Sequence, residues 1–368
     1  MSFYTKLKEI NTLSFDELFE NVTNRDVEKV LKKDRLSEQD FMTLLSPAAE
    51  NYLEEMAQKS HEITTQHFGK TMQLFLPLYL SDYCVNTCKY CSFSVDNDFP
   101  RRRLSMEEIE QEAKIIADMG IKHIILLSGE SRMHSSNAYL KESLKVLKKY
   151  FSSIGLEIQP LDTEEYQELV DHGIDGLTVY QEVYNEEIYA GIHTKGPKRD
   201  FKYRLDTPER GAFAGMRSVN IAALLGLDDW RKESFITGLH AAYLQDNYLE
   251  TEVGVSFPRI RPNAGDFQPK VDVTDKNLVQ ALLASRLFLP RSGITISTRE
   301  TPEFRDQLIP LGVTKMSAAS STVVGGYTEP DATQSQFEIS DERSVKEVKE
   351  LLLAKGYQPV MKDWHILS

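Results

Sequence analysis

The rhythm of the hydrophobic positions changes once along this chain. Up to about residue 70, apolar residues recur at helical spacing between start signals. Ser14 with Glu17 has the form of a capping box, and Ser46-Pro47 opens a longer helix ending near Gly69. From residue 72 the apolar positions gather into short runs: QLFLPLY (73–79), HIILL (123–127), LEIQP (156–160), GLTVY (176–180), VNIAAL (219–224), VGVSF (253–257), ITIST (294–298) and TKMSA (314–318). Such runs, bounded by turn residues, predict parallel strands. Helix starts lie between them, at Ser105 with Glu108, at Asp206 with Glu209 and at Thr301-Pro302-Glu303.

Eight such units over roughly 245 residues match a complete (βα)8 barrel of about 250. The expected organisation is α/β: a helical N-terminal extension (1–71), a TIM-type barrel (72–320) and a C-terminal extension (321–368) with a helix from about Ser340 to Lys355. A doubly wound open sheet would need a glycine-rich phosphate loop after the first strand, where CVNTCKYCSF stands instead.

That segment holds all three cysteines of the 368 residues, Cys84, Cys88 and Cys91. Their C-x3-C-x2-C spacing can converge on one centre, and a four-iron cluster so held keeps one iron without a protein ligand. An odd cysteine count argues against a disulfide framework. A zinc site would need a fourth ligand such as His61, His67, His123 or His134, none at zinc-finger spacing. The net charge of −13 gives no basic footprint for nucleic acid or an anionic membrane. Without an apolar N-terminal segment or a membrane-length apolar run, the expected location is the cytoplasm.

In a barrel, functional groups collect at the C-terminal ends of the strands. Candidates there are Ser128, Gly129 and Glu130 after strand two, Glu157 and Gln159 after strand three, and Tyr180-Gln181-Glu182 after strand four. Arg204, farther on, is a planar donor suited to a carboxylate.

The cysteine spacing, with Tyr90 immediately before the last cysteine, resembles the signature of the radical S-adenosylmethionine (radical SAM) enzymes. PLYLSDYCVNTCKYCSF, LLSGE, EIQPL, VYQEVY, GPKRDFKYRLDTPER, SFPRIRP, ISTRE and SAASSTVVGGY together resemble the 2-iminoacetate synthases, the tyrosine lyases of bacterial thiamine thiazole biosynthesis. The resemblance runs through nearly the whole chain, from the SPAAENYLE helix to PVMKDW. The related hydrogenase maturase carries further cysteines in a C-terminal extension, and this chain has none.

The resemblance implies a [4Fe–4S] cluster on Cys84, Cys88 and Cys91, with S-adenosylmethionine held by Tyr90, Ser128, Gly129, Glu130, Glu157, Gln159, Glu182 and Arg204. It implies that L-tyrosine is bound by Tyr79, Arg299, Ser317 and Ser320, and that its Cα–Cβ bond breaks to give 2-iminoacetate (dehydroglycine) and p-cresol. A 5′-deoxyadenosyl radical would start this, with a flavodoxin-type electron donor and thiazole synthase as partners. Arg259 and Arg261 of PRIRP are left open between cofactor, substrate and barrel rim. The run Arg101-Arg102-Arg103 reads as a solvated loop, or else as the docking point of an acidic electron donor. The alternatives are a radical SAM enzyme of the same branch, such as a tryptophan lyase or one of deazaflavin or menaquinone synthesis, and a non-catalytic metal-binding scaffold.

Overall fold

The structure is a computed structural model and describes residues 2–265 and 267–362. Eight strands form the barrel: β1 (Thr71–Ser81), β2 (His123–Ser128), β3 (Ser153–Glu157), β4 (Gly176–Glu182), β5 (Ser218–Ala223), β6 (Glu252–Ser256), β7 (Gly293–Ile296) and β8 (Lys315–Ser317). Every pairing is parallel. The order runs from β2 to β8 and on to β1, and β1 also pairs with β2, which closes the sheet. All eight predicted strands are present, and the fold is a TIM-type barrel. A further strand, β9 (Gln358–Val360), pairs with Thr71–Gln73 of β1. Three residues are too few to show a period, so the sequence pattern does not signal it.

The N-terminal helices Phe3–Ile10, Glu38–Leu45 and Leu53–Phe68 pack on the flank of the barrel. The Phe3 ring stacks on His240 at 4.1 Å and Phe41 on Phe288 at 4.5 Å. Gln280 donates to the Leu44 and Ser46 carbonyls at 3.0 and 2.8 Å. Gly238 permits this approach, because a Cβ there would stand 2.3 Å from the Phe41 ring.

The Ser105–Glu108 capping box forms, and the Thr301 hydroxyl accepts from Phe304 N–H. Two expected caps do not form. Ser14 makes no side-chain cap bond. Asp206 continues the preceding turn in αR geometry, and Glu209 accepts from the Tyr243 and Tyr248 phenols instead. The Ser46-Pro47 helix opens as a 3-10 turn, Pro47–Tyr52, before the α-helix Leu53–Phe68 that ends at Gly69 with φ +65°. The last helix among the described residues is Val345–Ala354, shorter than expected, behind a Ser344–Glu347 capping box.

Two features place the site. Gly155, Gly176, Gly254 and Gly293 line the lumen at positions where barrels ordinarily stack branched side chains, and the interior stays open. The chain beyond β8 then folds back over the C-terminal mouth. Ser340 N–H donates to Thr298 O at 2.8 Å, and the fully buried Arg305 pairs with Asp341 and donates to Ser317 O. Residues 363–368, the end of the expected C-terminal extension, lie outside the described residues.

Candidate active site

The loop after β1 carries the cysteines, and its backbone is tied down on several sides. Val85 N–H donates to Glu130 O at 3.1 Å, and Gly129 N–H to Ser81 O at 2.7 Å. Gly129 is required by space: a Cβ there would lie 2.4 Å from the Tyr83 carbonyl oxygen. Arg101 donates to the carbonyls of Asp82, Phe93, Ser94 and Asn97 at 2.7 to 3.1 Å. Arg102 pairs with Glu108 at 2.6 Å and Glu329 at 2.7 Å. The arginine run is therefore not a solvated loop, since its first two members are spent on holding the cysteine loop and its neighbours.

Cys84, Cys88 and Cys91 line one cavity together. Burial pushes all three thiols up, Cys91 to about 11. Among the described residues, no three of His, Cys, Asp or Glu stand close enough to hold a single metal ion. Three thiols lining one cavity suit a body of several irons, whose positive charge would draw off the protons that burial retains. The Tyr90 hydroxyl bonds His193 Nε2 at 2.7 Å at the cavity wall.

The same cavity is lined by a buried group of charges. Lys198 Nζ meets Glu182 at 2.7 Å, and Arg204 meets Glu130 at 2.8 Å and Glu182 at 3.6 Å. Asn86 Nδ2 donates to the second Glu130 oxygen at 2.8 Å, and Arg204 Nε donates to Tyr180 O at 2.7 Å. Burial pushes the Glu182 carboxyl up, but Lys198 and Arg204 outweigh it and hold it below the usual carboxylate range. Two cations thus balance two carboxylates. Each Glu130 oxygen still has a lone pair with which to accept from a ligand amino group. Ser128 lines the same cavity with a buried hydroxyl that has no partner among the described residues. Arg261 also lines it, donating to Ser340, with no partner for Nε among the described residues.

The second cavity is the lumen, about 1190 Å³ including its open mouth. The two cavities share Tyr79, Leu127, Glu157, Thr178, Tyr180, Arg299 and Phe337 as walls. Among the described residues no carboxylate pairs with Arg299, whose guanidinium lies 3.5 Å from the centre of the Phe337 ring. Arg259, by contrast, is taken up by Glu300 and by Asp275 at 2.8 Å, so it serves the rim. Burial raises the Glu157 carboxyl to about 7, with Arg299 pulling the other way. The Ser317 hydroxyl accepts from Thr298 N–H at 3.1 Å, and the buried Ser320 hydroxyl, facing the lumen, has no partner among the described residues.

One expected cofactor residue lies elsewhere. Gln159 lines neither cavity: its nitrogen donates to Ser135 O at 2.7 Å and its oxygen accepts from Ser131 N–H at 3.2 Å, so it shapes the loop after Glu130. Asn86, Lys198, Gln336 and Phe337 are cavity residues that the sequence does not single out. Lys198 sits in a motif already quoted, GPKRD, but nothing in its spacing marks it as buried. Gln336 and Phe337 arrive from a polar stretch by the fold-back over the mouth.

The radical SAM superfamily model matches residues 78–236, and that of the biotin and thiamin synthesis associated domain matches residues 256–358. The chain is 43% identical to 2-iminoacetate synthase of Escherichia coli over 93% of this chain and 91% of that one. A crystal structure of HydG, a maturase of the [FeFe]-hydrogenase, superposes with a TM-score of 0.89 at 29% identity, covering 97% of this chain and 80% of that one. HydG from Carboxydothermus hydrogenoformans gives 0.86 at 33% identity, covering 98% and 83%. The sequence identity, extending over both lengths and across the cysteine loop and barrel just described, places this chain in the 2-iminoacetate synthase family of radical SAM enzymes.

Proposed function

We infer that the two adjoining cavities divide the cleavage of L-tyrosine into 2-iminoacetate and p-cresol between a cofactor end and a substrate end. The single observation carrying this is the wall they share, which brings Tyr79, Glu157 and Arg299 to the boundary between the cysteine pocket and the lumen. When bound, the [4Fe–4S] cluster and S-adenosylmethionine would supply the radical chemistry that removes a hydrogen atom from the substrate amino group. Cys84, Cys88 and Cys91 hold the cluster. Glu130, kept in place by Arg204 and Asn86, accepts from the methionine amino group, and Ser128 and Arg261 meet its other polar atoms.

On the substrate side, Arg299 grips the tyrosine carboxylate, which would otherwise be a buried unpaired charge. Ser320 offers a further hydroxyl beside it. The ammonium lies against Tyr79 and Glu157. With its carboxyl near 7, Glu157 in its anionic form takes a proton from that ammonium before the hydrogen atom leaves. The glycine-walled lumen receives the ring and keeps water from the radical. A close fit matters because a primary radical attacks the first hydrogen it meets.

The partners follow from the chemistry. An imine of glyoxylate hydrolyses in water, so thiazole synthase is its acceptor, with the N-terminal helices and the segment after residue 320 as candidate contact surfaces. A flavodoxin-type donor supplies the electron. Location is assigned to the cytoplasm; among the described residues no helix is long and apolar enough to cross a membrane.

The test is an anaerobic single turnover of cluster-loaded protein with S-adenosylmethionine, dithionite and tyrosine, run in parallel with tryptophan. p-Cresol and glyoxylate from tyrosine alone are expected. Deoxyadenosine without p-cresol would overturn the substrate, and stoichiometric zinc in anaerobically prepared protein would overturn the cluster.

A further inference from the structure

The segment that folds over the barrel mouth places one side chain between the two ends of the site. The Gln336 carboxamide accepts through Oε1 from the Tyr79 hydroxyl at 2.7 Å and presents Nε2 to Cys91 Sγ at 3.8 Å. Its position is fixed from the backbone. Gln336 N–H donates to Thr322 O at 3.0 Å, and its carbonyl accepts from Ser92 N–H, next to Cys91, at 3.2 Å. The Thr322 hydroxyl donates to Phe337 O at 2.9 Å, and the Phe337 ring lies over Arg299. Two consecutive residues thus touch a proposed cluster ligand, Cys91, and two of the side chains assigned to the substrate backbone, Tyr79 and Arg299.

We propose that Gln336 is a positioning residue that links occupancy of the substrate pocket to reduction of the cluster on the cysteines. This rests on the placement of tyrosine given above. The Tyr79 hydroxyl has one proton, given to Gln336, and its lone pairs remain to accept from the substrate ammonium. The chain then runs ammonium N–H to Tyr79 oxygen, Tyr79 O–H to Gln336 Oε1, and Gln336 Nε2–H to Cys91 sulfur.

Hydrogen bonds in series polarise one another, so each strengthens the next. An N–H donor on a cluster sulfur favours the reduced form, which carries one more negative charge, and such bonds help set cluster potentials. One electron from an external low-potential donor takes the cluster from 2+ to 1+, and the chain moves no proton. Tyrosine in the lumen therefore makes that electron easier to accept, and reductive cleavage of the cofactor waits for the substrate.

The test is an anaerobic redox titration of the cluster-loaded protein, read by the electron paramagnetic resonance signal of the reduced cluster, with and without tyrosine. Gln336→Leu keeps the volume and removes the donor. The reduction equilibrium should fall about tenfold, a shift of 59 mV for one electron, at unchanged iron and sulfide content. Tyr79→Phe should shift it the same way by less, and the double variant no further than Gln336→Leu. Tyrosine should raise the potential of the native protein and leave Gln336→Leu unmoved.

Should Gln336→Leu load poorly, Gln336→Glu has the same size, cannot donate as a carboxylate, and should move the potential further down. Equal potentials in native and variant proteins, or additive shifts for Tyr79 and Gln336, would overturn the proposal. If native protein forms p-cresol yet its potential ignores tyrosine, the coupling fails while the function stands. If no p-cresol forms, the placement of the substrate fails first.

Discussion

The two ends of this site solve opposite electrostatic problems. At the cofactor end, Lys198, Glu182, Arg204 and Glu130 are paired with one another before any ligand arrives. At the substrate end, Arg299 and the Ser320 hydroxyl have no such partner among the described residues. A zwitterionic cofactor with its own sulfonium needs a neutral, stiff socket, since any net charge left there would compete with it. A substrate carboxylate needs the reverse, a cation whose pairing has been withheld. Arg299 is half-buried and donates to the Arg259 carbonyl at 3.4 Å, so leaving it without a carboxylate partner costs little before the substrate arrives.

Breaking a pair at the cofactor end should therefore damage the fold, whereas removing the lone cation at the substrate end should damage only binding. Lys198→Met leaves Arg204, at 3.6 Å, as the remaining cation beside the buried Glu182. We expect a loss of about 3 kcal/mol, read as a lower denaturation midpoint in the protein without added tyrosine. Arg299→Ala should cost less than about 1 kcal/mol of stability, its contacts being with the Phe337 ring and, at 3.4 Å, the Arg259 carbonyl. The same change should weaken tyrosine binding by roughly 30-fold or more, as expected for about 2 kcal/mol from an orphaned buried carboxylate. Reversed results, a stable Lys198 variant and an unfolded Arg299 variant, would erase the distinction.

Glu157 stands on the boundary, and its titration sharpens the comparison. With its carboxyl raised to about 7 by burial, it is neutral below that pH and anionic above. If the anion receives the ammonium proton, kcat/KM rises as pH climbs through about 7 and flattens beyond. Glu157→Gln should lower kcat/KM by roughly tenfold at pH 8 and remove that rise. Stability runs the other way. Above about pH 4.3 the unfolded chain has lost a proton that the folded protein keeps until about 7. The contribution of Glu157 to stability thus declines over that interval and is constant above it, and Glu157→Gln should abolish the decline. A pH profile unchanged in the variant would remove Glu157 from proton transfer.

The same division decides what the sequence reveals. The barrel is legible because each buried strand is a continuous apolar run, and the cysteine loop because its ligands are consecutive in one turn. Glu130, Glu157 and Arg299 are legible as polar residues at strand ends, where no apolar layer awaits them. The pairing of Lys198 with Glu182 is not, because it joins a 3-10 turn after β4 to a residue at φ +71° on the strand. Gln336 is less legible still. It lies 245 positions from Cys91, in a stretch whose polarity is indistinguishable from a surface loop until the fold-back carries it over the mouth. Gln159 errs in the opposite direction, a strand-end polar residue whose amide is used by the adjoining loop.

The smallest expected effect tests the lumen wall itself. A methyl group added at Gly155 would meet the Gly176 carbonyl oxygen at 3.6 Å and Ile125 Cγ1 at 3.7 Å, ordinary contacts that displace nothing. At Gly129, on the cofactor side, the same atom would run into backbone at 2.4 Å. Gly155→Ala should leave the fold intact or firmer by about 0.5 kcal/mol, through the reduced freedom of the unfolded chain. It still takes space from the lumen proposed to receive the tyrosine ring. A two- to threefold rise in KM for tyrosine with kcat retained, about 0.5 kcal/mol of lost fit, is the outcome expected if the ring enters the glycine-walled lumen. An unaltered KM would mean that the ring does not reach the level of Gly155, and that the open interior serves something other than the substrate.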